Sequence, residues 1–155
     1  MAGTHLSGPL YVGNTNTKSL AAADLTSTTT RFTVSGGPVK IRALGLHITT
    51  ALPAGANTLK FSFTPTGGTA TDLSGTTDTA SAGAQQLFML DGTKATGPIK
   101  TTDVGIQAAG QPLTNMPIVL GTGIITTIFS GGPPATGAAT LFVQWEPLTP
   151  DSKLA

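Results

Sequence analysis

The chain contains no cysteine. A disulfide framework, a thiolate zinc site and a cysteine nucleophile are all excluded. Charge is also scarce. Charged residues make up 10% of the 155-residue chain, against about a quarter in an average soluble domain. The cations Lys18, Arg31, Lys40, Arg42, Lys60, Lys94, Lys100 and Lys153 are scattered, and the net charge is +1. A nucleic-acid binder gathers its cations on one stripe or face, so no nucleic-acid partner is expected. Arg31, Lys40 and Arg42 are expected to lie on a solvated face of a sheet. The opening “MAGTHLSGPL” lacks the basic-then-apolar order of a Sec signal peptide. No apolar run approaches the roughly 18 residues of a membrane span, and no membrane partner is expected.

Catalytic residue types are equally thin. The histidines are His5 and His47, and the one glutamate is Glu146. His47 lies between Leu46 and Ile48 in an alternating stretch and reads as a hydrogen-bonded structural histidine. No G-x-S-x-G elbow is present, and “LSGP” at residues 6–9 is not one. Glu146 precedes Pro147 and marks a strand end. Asp72 and Asp78, in “TDLSGTTD”, lack the dense acid pattern of a calcium loop. No glycine motif links a strand to a helix in the manner of a phosphate-binding loop. The expectation is a non-enzyme with no cofactor and no metal.

What the chain has instead is threonine, roughly a fifth of all residues, with 20 glycines and 11 prolines. Threonine is β-branched and favours strands, while Gly and Pro at close spacing mark turns. Short alternating segments recur. Phe32 and Val34 alternate with polar neighbours, as do Leu59, Phe61 and Phe63. Val39, Ile41 and Ala43 alternate until the apolar phase slips to Leu44, Leu46 and Ile48 beside Gly45, which predicts a β-bulge or a strand buried on both faces. “GNTNTKS” reads as a turn or loop, and “LAAADL” as one helical turn. Residues 64–84 read as a long loop with a short strand near Thr76–Thr79, and “ASAGAQQLFML” as a short helix. “GIITTIF” and “AATLFVQW” are expected to be antiparallel neighbours joined by an outward loop, “SGGPPATG”, with Ala139, Leu141, Val143 and Trp145 on one face. Trp145 is thus a core or interface anchor. About eight short strands with at most one short helix predict an all-β fold, a β-sandwich of jelly-roll type, with a small β-barrel as the alternative. The expected organisation is an extended N-terminal arm over 1–10, one sandwich domain over 11–150 and a C-terminal tail over 151–155.

“THLSGPLYVGN” at residues 4–14 and “GTGIITTIFSGGPPATGAATLFVQWEPLTP” at residues 121–150 resemble the capsid decoration, or cement, proteins of tailed bacteriophages. Members often open on H-x-SGP and end in a TGxxTTxF…G…ATLFVxW/Y strand pair. The resemblance implies a jelly roll, made in the host cytoplasm, that sits on the outer surface of the virion capsid. It would bridge subunits of the major capsid protein and associate with itself as a dimer or trimer. The candidate capsid or oligomer contacts are then His5, Leu6, Pro9 and Tyr11 in or beside the arm, Pro133 and Pro134 in the loop, and Trp145. A head-fibre or tail-associated module that binds a receptor or glycan is the alternative. Such sites present exposed aromatics, of which this chain has few: one Trp, one Tyr and six Phe.

Overall fold

The computed structural model describes residues 13–26, 29–55, 57–101, 115–131 and 134–155. They form two antiparallel sheets packed face to face. The first sheet is built on β1 (Asn14–Ala21), β11 (Ala138–Pro147), β3 (Val39–Thr50), β7 (Leu87–Met89) and β8 (Ile99–Lys100), in that order. A short strand, β9 (Ile118–Leu120), pairs with the start of β3. The second sheet runs β12 (Lys153–Leu154), β2 (Thr29–Ser35), β10 (Gly123–Ser130), β4 (Thr58–Pro65) and β5 (Thr71–Asp72), and β6 (Thr77–Asp78) also pairs with β4. The long strands β1, β2, β3 and β4 fall in alternate sheets, and so do β10 and β11. This is the interleaved strand order of a jelly roll, and the described strands close no barrel. Residues 151–155, taken from the sequence as a tail, carry β12, which pairs with β2.

The core lies between the sheets. Phe32, Phe61 and Phe88 are its largest fully buried rings, packed with Leu44, Leu46, Ile48, Ile125 and Leu141. Alternation placed Phe32, Phe61, Leu44, Leu46, Ile48 and Leu141 correctly, because side chains on a strand point to opposite faces in turn; Phe88 lay in the segment expected to be helical. The phase slip in β3 is a bulge. Ala43 faces Gln144 and Ile41 faces Trp145, leaving Arg42 as the extra residue. The inward set therefore changes from Val39 and Ile41 to Leu44, Leu46 and Ile48.

Four sequence expectations fail. “GNTNTKS” belongs to β1, an eight-residue strand paired without interruption to β11. “ASAGAQQLFML” forms no helix. Ser81 and Gln85 take positive φ angles of 54° and 71°, which an α-helix cannot contain. The chain then enters β7, where Phe88 and, just beyond it, Leu90 join the core cluster. β10 and β11 are not neighbours: β10 lies between β2 and β4, while β11 lies between β1 and β3 in the other sheet. Their connection crosses the sandwich, and alternation alone cannot distinguish that from a hairpin. Arg31 does not share a face with Lys40 and Arg42. It lies in the opposite sheet and is buried.

Candidate functional site

The exposed face of the first sheet holds a recess that combines apolar and polar side chains. Thr17 of β1, Thr140 and Phe142 of β11, His47 of β3, and Gln85 and Leu87 at β7 line an open cavity of about 370 Å³. Register explains the grouping. Thr17 faces Phe142 across β1–β11, Thr140 faces His47 across β11–β3, and His47 faces Leu87 across β3–β7. Facing residues in antiparallel strands share a side, so these four strands deliver one continuous patch. Gly45, opposite Phe142, makes room for the ring. A Cβ there would lie 2.8 Å from Phe142 Cζ and 2.6 Å from Met89 Sδ. His47 Nε2 lies 2.9 Å from Gln85 Oε1, so the histidine is hydrogen-bonded, as its strand context predicts.

A charged cluster adjoins the patch. Glu146 of β11 accepts a hydrogen bond from Arg42 Nε, and Lys40 Nζ is 3.8 Å from its other oxygen. The Arg42 hydrogen bond holds the Glu146 carboxyl below its ordinary value; desolvation opposes it, and the charges of Arg42 and Lys40 add smaller lowering effects. Glu146 thus ties β11 to β3 across their exposed face. Asp72 pairs with Lys60 at 3.0 Å, and Asp78 accepts a hydrogen bond from the Ala80 amide at 2.8 Å. Neither aspartate faces the other as a calcium pair would. Among the described residues no group of three His, Asp or Glu side chains could hold a metal ion, and no helix is long and apolar enough to cross a membrane.

The buried polar groups are structural. Arg31 Nε donates to Thr127 Oγ1 and its Nη2 to the Asp24 carbonyl, both at 2.6 Å. These bonds anchor the short 3-10 turn Ala22–Thr26 to the second sheet. Burial pulls the Arg31 guanidinium below its usual range, and the Asp24 charge partly offsets this.

The sequence-derived contact residues fall differently. His5, Leu6, Pro9, Tyr11 and Pro133 lie outside the described residues. Pro134 is buried, not carried on an outward tip. Trp145 is 7% exposed and packs in the core. Its Nε1 donates to Asn16 Oδ1 at 2.9 Å, and Asn16 Nδ2 donates to the Leu154 carbonyl at 3.0 Å. The anchor therefore joins β11 to β1, and β1 to the last strand of the opposite sheet. Phe142, His47 and Gln85 were missed as a group. The sequence signal was available for Phe142, which alternation set opposite Trp145. No local pattern reveals that β3 and β7 bring His47 and Gln85 beside it.

No protein-family model matches the chain, and no curated protein or solved structure matches it significantly.

Proposed function

We propose that this chain is a structural virion protein that decorates a tailed-bacteriophage capsid and cements it by bridging major capsid protein subunits. The observation that carries this reading joins fold and sequence. Asn14, the last residue of the first segment that resembles cement proteins, faces Trp145, near the end of the second, across β1 and β11. From there β1 lies along β11 from Trp145 to Ala138, with Ala21 opposite Ala138. A cement protein performs no chemistry. It buries surface between shell subunits, and repetition over a symmetric shell multiplies weak contacts into avidity. An arm that adds to a neighbour's sheet extends that reach.

The test mixes purified protein with heads that lack it and sediments the particles. Cosedimentation that saturates is the expected result; protein left in the supernatant at all ratios contradicts the reading.

One observation favours the receptor- or glycan-binding alternative. Phe142 is a partly exposed ring edged by Thr17, His47, Gln85 and Thr140, an apolar platform with polar groups at its rim. Glycan-array binding that Phe142→Ala abolishes, together with failure to bind heads, would shift the assignment to that module.

A further inference from the structure

We propose that β1 pairs with β1 of a second copy, joining two sandwiches edge to edge about a twofold axis through Thr17. The inference deepens the self-association expected above, yet it rests on the edge itself and not on the capsid reading.

The edges of this sandwich are unequal. Of the other strands that flank the sheets, β5, β6, β8 and β12 are each two residues long and β9 is three. Such short strands offer little for another chain to pair with. β1 is eight residues long, and no described strand pairs with its outer side. Its pairing to β11 runs Asn14 to Ala21 with no register shift, so no bulge turns the edge away. It contains no proline. Its one charged side chain, Lys18, is drawn to the core side, with Nζ 5.5 Å from the Phe32 ring centroid. The usual protections of an exposed edge are therefore weak here.

The register follows from side-chain parity and charge. Facing residues of an antiparallel pair share a face, so a twofold axis normal to the sheet must pair residues whose numbers sum to an even value. An axis at Lys18 sets two like charges directly opposite, which is destabilising. An axis at Thr17 sets Thr17 against Thr17, Thr15 against Ser19, Asn16 against Lys18 and Asn14 against Leu20. The exposed face then carries only hydroxyl-to-hydroxyl pairs, which stabilise antiparallel strands. Each Lys18 faces an amide. A second copy thus fits this edge better than an arbitrary strand does, because its own sequence supplies the complement.

Sedimentation velocity of the full chain over a range of concentrations tests this. A concentration-dependent dimer is expected. Thr17→Lys places like charges at the axis and should weaken the dimer by about tenfold or more. Ser19→Lys adds the same charge to the same exposed strand but faces Thr15, so it should leave the dimer in place. With no native cysteine, Thr17→Cys gives a clean register probe and should cross-link copy to copy under mild oxidation. A protein that stays monomeric through the high-micromolar range overturns the proposal. So does a dimer that withstands Thr17→Lys, a trimer, or a Ser19→Cys variant that cross-links more readily than Thr17→Cys. No heads are present in this experiment, so its failure and failure of head binding are separately readable.

Discussion

At the scale of single residues, Trp145 has the largest reach. Its ring fills core volume, and its one polar atom is satisfied by Asn16, which in turn holds the Leu154 carbonyl. Trp145→Ala removes the ring and leaves a cavity, and should cost about 3–5 kcal/mol in chemical denaturation. Asn16→Ala leaves the ring in place but strips its partner and the tie to β12, and should cost about 1–3 kcal/mol. A ranking with Asn16→Ala the more damaging would contradict the assignment of Trp145 to the core. The fate of Trp145 was half legible in the sequence. Alternation put it with Ala139, Leu141 and Val143, all buried. It could not reveal Asn16, because “NTNTKS” has the composition of a turn. In the fold those residues form a strand whose one fully buried side chain is Leu20. Pairing with β11 overrides the turn propensity of the local sequence.

At the scale of elements, β3 and β11 form the spine of the first sheet, and Glu146 fastens them near the Arg42 bulge. The carboxyl is held below its ordinary value in the folded state, first by the Arg42 hydrogen bond. The sign follows: the contribution is fully present above the unfolded value near 4.5 and is lost as pH falls through the lower folded value. Because Glu146 is the only glutamate, its carboxyl carbon gives an unambiguous NMR titration. The midpoint should lie below 4.5 in the wild type and rise in Arg42→Ala; an unchanged midpoint in the variant contradicts the pairing. The bulge itself was legible as a phase slip, although the sequence placed it beside Gly45 and the structure places the extra residue at Arg42. Pairing partners were not legible. β10 and β11 are adjacent in sequence and each alternates cleanly, yet they lie in opposite sheets. Periodicity reports which face of a strand is buried and carries no information about the strand beside it.

At the scale of the whole molecule, the described strands of the sandwich leave the long outer edge of β1 unpaired and a recessed sheet face beside it, lined from β1, β11, β3 and the start of β7. Fold class was readable from threonine, glycine and alternation, because these set strand and turn propensities directly. The recess was not, because it is assembled from four strands spread between Thr17 and Phe142. The most direct measurement is calorimetry of heads that lack this protein, repeated with increasing amounts added and with bound copies counted. The expected result is binding that saturates at a copy number set by capsid symmetry, with the melting transition of the head rising until that number is reached. Heads that melt at the same temperature with the protein bound, or that take up none, would contradict a cementing role.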